Sequence, residues 1–386
     1  MTHSKRHALL CIIIFFLPIT IVGGVTYIVD PFQIYRPQQF VTPMFFAAQR
    51  YQNAGKINSY LLQDGYDAVI LGHSQTDNFL PSKVAKHLGW KRVMKLTMSG
   101  GTPTEEAIVL ARALSKGSIR HVLWGVGFSY TADLAEAWNK KRVFPRYFYT
   151  DTIMDDARYL FGLDSFMKSI HLLSGNLDSS WNSNLETLNY WMTNREISYI
   201  KFNSNKNIRK LAKKRKRALS VDVFSESNTS NHYAAAESNL IPLIKDHPEV
   251  NFIIYFPPHF RGLYPDFIIS YSHMQQYLVQ RCADYSNVAF YGFSDNNKIT
   301  ANAANFRDPM HYHSGVNLFM LKRIANNMNR LTVDNIENYV QRVQDLAVRY
   351  TVYSNMKNMI PMAKKSEYKT FQKLLRDMRR TKRGKT

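Results

Sequence analysis

The residues best suited to chemistry in this chain lie in three separate places. Ser74 follows the apolar run Ala68-Val69-Ile70-Leu71-Gly72-His73, and Gly100 and Gly101 follow a second apolar run. Asp308 and His311 sit three apart in Arg307-Asp308-Pro309-Met310-His311-Tyr312. A serine hydroxyl is a weak nucleophile until a neighbouring base takes its proton. An Asp-x-x-His pair supplies that base already oriented: one turn brings the carboxylate to the imidazole Nδ1–H and leaves Nε2 free to face the serine. The backbone N–H groups of the Gly100-Gly101 pair are candidate donors to the oxyanion of a tetrahedral intermediate. These are the parts of an acyl-transfer site, and they call for no metal and no cofactor.

Each part also has a plainer use. A serine after a strand is often a turn former or helix cap, a glycine pair is a turn, and Asp before Pro starts many helices. Their joint placement is what points to catalysis. His73 is a poor base for Ser74, because adjacent side chains diverge, and His313 has no acid three residues before it. Thr76 stands where a Gly-x-Ser-x-Gly elbow has its final glycine.

The elements that must hold these residues follow from the apolar pattern. Strands are expected over 66–72, 91–97, 121–127, 251–256 and 287–293, with helices near 82–88, 104–116, 233–245, 270–284 and 314–329. Continuous apolar strands alternating with amphipathic helices predict an α/β fold with a doubly wound, parallel five-stranded sheet covered on both faces. Ligands of such sheets gather beyond the C-terminal strand ends, and the loops carrying Ser74, Gly100-Gly101, Ser129 and Asp308-His311 all fall on that edge. Residues 129–230 show no clear strand and read as a helical insertion.

The compartment is set by the first thirty residues. Residues 8–29 carry no charge, and about 20 apolar residues cross a ~30 Å hydrocarbon core. Lys5 and Arg6 precede the run, so 1–7 stay cytoplasmic and the 30–330 domain lies outside. Only two cysteines are present, Cys11 and Cys282, which excludes a disulfide within the globular part and any cysteine-built metal site. The net charge of +21 concentrates in KNIRKLAKKRKR (206–217) and in a basic, helical C-terminal extension, 331–386. Anionic lipid headgroups or an anionic envelope polymer are the expected partners, alongside the inner membrane itself through 8–29. Simple solvation of these basic runs is the blander alternative. Nucleic acid is not expected, because the span carries the basic runs away from it.

The order strand–Gly-x-Ser, strand–Gly and late Asp-x-x-His resembles the SGNH (GDSL-like) hydrolases and acyltransferases, whose sheet is flavodoxin-like. The match is to their membrane-anchored bacterial branch, seen in envelope polysaccharide O-acetylation and teichoic-acid D-alanylation. It rests on Asp30-Pro31-Phe32 after the span, Gly72-His73-Ser74, Phe144-Pro145-Arg146-Tyr147, Tyr255-Phe256-Pro257-Pro258 and Asp308-Pro309-Met310-His311. The resemblance covers roughly 10–330. It implies a periplasmic or extracytoplasmic esterase or O-acyltransferase with Ser74 as nucleophile, His311 as base, Asp308 as orienter, and the N–H of Ser74 with that of Gly100 or Gly101 as oxyanion donors. Two positions depart from the pattern. His73 replaces the usual Asp before the serine, and Gly125-Val126-Gly127-Phe128-Ser129 lacks the third-block Asn, leaving Ser129 as its only polar substitute. A non-catalytic assembly or scaffold protein on the same fold is therefore the alternative.

Overall fold

The computed structural model describes residues 3–39, 42–46, 48–62, 65–131, 144–177, 181–191, 233–261 and 265–352. The basic run 206–217 and the tail beyond 352 lie outside them, as does most of the expected insertion. The chain begins with helix α1, His3–Val29, long and apolar enough to cross a bilayer. There follow β1 (Phe45–Phe46), α2 (Gln49–Gly55), β2 (Ala68–Gly72), α3 (Pro81–Leu88), β3 (Val93–Lys95), α4 (Pro103–Leu114) and β4 (His121–Gly125). Then come α5 (Leu163–Ser174), β5 (Trp181–Asn182), β6 (Asn251–Phe256), α6 (Pro265–Arg281), β7 (Val288–Gly292), α7 (Ser314–Ala325), β8 (Arg330–Leu331) and α8 (Ile336–Val352).

The fold is α/β, built on a six-stranded, mostly parallel sheet of order β3-β2-β4-β6-β7-β8. The five expected strands are present and run parallel. The expectation of five strands in an all-parallel sheet is corrected by β8, which pairs antiparallel to β7 at the edge. Two residues carry too little periodicity to be read as a strand. The sheet is apolar on both sides because alternate residues feed two cores. Val69 and Leu71 join α4, α6 and α8 on one face, while Ala68 and Ile70 join α3 and α7 on the other. Such burial is why these strands read as continuous apolar runs.

The expected second strand, 91–97, is shortened to β3, but its path continues. Leu96 N–H donates to Ile70 O and Met98 N–H to Gly72 O, both at 2.8 Å, which delivers Ser99 to the end of β2. The described part of the insertion is not purely helical either. It contains α5 and short helical turns, and β5 pairs antiparallel with β1. The chain leaves α1 through Asp30, a non-glycine residue at φ 47. Its buried carboxylate accepts N–H bonds from Ile34, Tyr35 and Arg36 and the hydroxyl of Tyr159. The last turns of α1 pack on α5, where Val25 and Val29 meet Leu172 and Trp181.

Candidate active site

The chain runs from β2 outward to β3 and then back across β2 to β4, so the strand order reverses beside the C-terminal end of β2. A crevice opens at such a reversal, and Ser74 sits there. Gly72, at φ +136, permits the sharp exit from the strand; a Cβ there would lie 2.9 Å from Gly125 O and 2.5 Å from Thr76 Oγ1. Thr76 N–H then closes the turn onto His73 O at 2.8 Å, and Thr76 Oγ1 lies 2.8 Å from Tyr255 Oη.

The late Asp-x-x-His segment folds back onto this turn. Arg307 N–H donates to His311 O at 2.7 Å, Gln75 Nε2 to Met310 O at 2.6 Å, and Asn317 Nδ2 to Gln75 O at 3.0 Å. Ser74 Oγ lies 2.7 Å from His311 Nε2. His311 Nδ1 lies 2.8 Å from Asp308 Oδ2 and 2.9 Å from Oδ1. Asp308 Oδ1 also accepts the N–H groups of Met310 and His311 at 2.9 and 3.0 Å. Burial pulls this carboxyl upward, but the His311 ring and the two N–H donors outweigh it, and Asp308 titrates below its ordinary value. An ionised Asp308 only accepts, so the imidazole proton belongs on Nδ1 and Nε2 accepts from the serine hydroxyl.

The other sequence candidates sort by geometry. The Ser74 N–H has no acceptor among the described residues. The Gly101 N–H donates to Met98 O at 2.8 Å, so it cannot serve an oxyanion without breaking its own turn. Gly100 sits at φ +60 and turns its carbonyl to Arg50 Nη2 at 3.1 Å. His313 caps α7, its Nδ1 accepting the Gly315 N–H at 2.9 Å. His73 is buried against β4: a Cβ on Gly127 would lie 1.7 Å from its Nε2. Burial, with the nearby His311, lowers its pKa to about 4, so it packs as a neutral ring. Ser129 Oγ is buried with no partner among the described residues and does not line the cavity.

That cavity, about 920 Å³, is lined by Ser74, His311 and Asp308 and by further groups that were not singled out from the sequence. Trp191, from the insertion, donates its indole N–H to Ser74 O at 3.2 Å and meets His311 edge-on at 5.5 Å. The Arg307 guanidinium lies over the Trp191 ring at 5.3 Å and forms no ion pair among the described residues. Asn189 adds a side-chain amide with no partner among them. Gln49 and Asp77 form the opposite wall: Gln49 donates to Asp77 Oδ1 at 3.0 Å and accepts the Ser99 N–H at 2.6 Å. Ser99 Oγ donates to Asp77 Oδ2 at 2.8 Å, and burial raises the Asp77 pKa. Arg50 braces this wall with a buried pair to Glu105 at 2.7 Å. Arg307 adjoins Asp308 and Asp77 lies three after Ser74, so proximity in sequence was their available signal; Trp191 and Gln49 carried none.

Compared with models of known protein families and with curated protein sequences, the chain matches none.

Proposed function

We propose that this chain is an SGNH-type acyl-ester hydrolase or O-acyltransferase that works on a carbohydrate polymer of the cell envelope. The observation that carries the reading is the continuous Ser74–His311–Asp308 hydrogen-bond chain inside an open cavity at the sheet's reversal point. The parallel run β3-β2-β4-β6-β7, with helices on both faces, supports the reading because it resembles the doubly wound arrangement of this superfamily; β8 adds an antiparallel edge strand.

His311 Nε2 takes the Ser74 proton as Oγ attacks the acyl carbonyl. The negative oxygen of the tetrahedral adduct is met by the Ser74 N–H. His311 returns the proton to the departing alcohol, and an acyl ester remains on Ser74. Water or a sugar hydroxyl then attacks with His311 as base, which releases the acid or transfers the acyl group. Asp308 stays ionised and stabilises the imidazolium throughout. Trp191 offers an apolar ring face to a sugar, and Arg307 a positive charge to an acidic one. As a membrane span, α1 would hold the domain on the outer face of a bacterial inner membrane, within reach of nascent polymer.

The test is turnover of a p-nitrophenyl acyl ester and of O-acylated envelope glycan by the full-length chain in detergent. Ser74→Ala should abolish both, and unchanged activity in that variant ends the mechanism. One feature favours a non-catalytic scaffold instead. The segment Gly125-Val126-Gly127-Phe128-Ser129 holds no Asn to supply the family's further oxyanion donor, and Gly127 packs against His73. One such donor contributes roughly 2.7–4 kcal/mol to the transition state. A scaffold would retain glycan binding in Ser74→Ala and show no turnover in the parent.

A further inference from the structure

We propose that α5 and the turn before it form a membrane-embedded ledge beside the span, which seats the domain at a fixed height on the bilayer. The inference rests on reading α1 as a membrane span, and it adds a second contact that the span alone does not require.

Helix α5 is inside out for a water-soluble domain. Leu163, Met167, Ile170 and Leu173 recur at i, i+4, i+7 and i+10, so they share one face, and that face is exposed; Leu163 is 71% and Leu173 53% accessible. Ser165, Ser169 and Leu172 share the opposite, buried face. The Ser169 hydroxyl satisfies itself on Ser165 O at 2.9 Å. A helix that turns serines inward and Leu, Met and Ile outward is matched to an apolar surrounding. Phe161 (51%) and Met154 (81%) extend the exposed face on the N-terminal side.

The occupant is identified by continuity with α1. That helix runs unbroken from His3 to Val29, exposes its apolar side chains from Leu10 to Ile21, and then packs Gly23, Val25 and Val29 against Phe161 and Leu172. A bilayer core of ~30 Å takes about 20 residues, so a core that begins near residue 8 ends where α5 lies. The ledge therefore meets the headgroup–acyl boundary, the depth at which in-plane amphipathic helices bury an apolar face. The charges flanking the stripe, Asp164 and Lys168, pair with each other. The contact is thus apolar, with no demand for anionic lipid.

The experiment places single spin labels at positions 163, 167, 170 and 173 of the full-length chain, in a Cys11→Ser, Cys282→Ala background, reconstituted into phosphatidylcholine vesicles. Reference labels stand at Ile14 on α1 and Lys322 on α7. Collision with oxygen should exceed collision with a water-soluble nickel chelate at all four ledge positions, as at position 14, with the reverse at 322. Adding phosphatidylglycerol should leave the pattern unchanged. Nickel access at all four positions, with position 14 in lipid, overturns the ledge and leaves the span standing. Nickel access at position 14 as well overturns both. Dipolar broadening between ledge labels, with both reagents excluded, would mean that a second copy covers the face, and would also overturn the proposal.

Discussion

Ser74 lies more than two hundred residues from the Asp308–His311 pair, yet each was legible because its type and local spacing carry chemistry. Their partners were not. Trp191 sits in an aromatic-rich insertion where no spacing singles it out, and Gln49 and Asp77 act through a hydrogen-bond wall that only the fold assembles. Replacing Asp308 with Asn keeps the loop but no longer enforces Nδ1–H. Ester turnover should fall by about 10⁴-fold, with circular dichroism unchanged. His73→Ala should leave labelling of Ser74 intact while lowering the melting temperature, since the ring is a packing element against Gly127. Glu106 makes a separate prediction about pH. Burial raises its pKa from 4.5 to about 8, despite hydrogen bonds from Trp124 and Tyr130. Between those values the folded state holds a proton that the unfolded chain has lost, so this group's contribution to stability falls as pH rises through the window. Glu106→Gln should gain stability over the parent progressively from pH 4.5 to 8, and by a constant amount above, in denaturant titrations at each pH.

At the scale of elements, the parallel strands and the helices α3, α4, α6 and α7 followed from apolar periodicity. Strand β8 and the β1–β5 pair did not, because two-residue strands are set by tertiary pairing. The corner after α1 was visible only as the residues Asp30-Pro31-Phe32. The fold explains it: one buried carboxylate holds three backbone N–H groups and the Tyr159 hydroxyl. Asp30→Ala would orphan several buried donors at about 1–3 kcal/mol each. The expected result is a loss of at least about 3 kcal/mol in chemical denaturation, together with protease sensitivity between span and domain. Gly23 is packed where a Cβ would lie 2.5 Å from Phe161. Gly23→Leu should therefore cost about 1–3 kcal/mol through overpacking and shift the ledge labels relative to the bilayer.

For the whole molecule, an apolar helix long enough to cross a bilayer leads into an α/β domain with an open cavity, the arrangement that the proposed membrane-tethered acyl transfer would use. The apolar helix α1 was plain from composition. The ledge was not, because α5 has an ordinary amphipathic pattern until the fold shows which face is turned outward. The basic runs give the chain its +21 charge, but 206–217 and the tail lie outside the described residues, and their partner was legible only as a charge preference. The full-length chain should remain in the membrane fraction through alkaline carbonate and high salt. The catalytic claim is tested most directly by fluorophosphonate labelling of the full-length protein, followed by peptide mapping. One covalent adduct is expected, on Ser74, absent in Ser74→Ala and strongly slowed in Asp308→Asn; an unlabelled parent, or a label on any other serine, would contradict a Ser74 nucleophile.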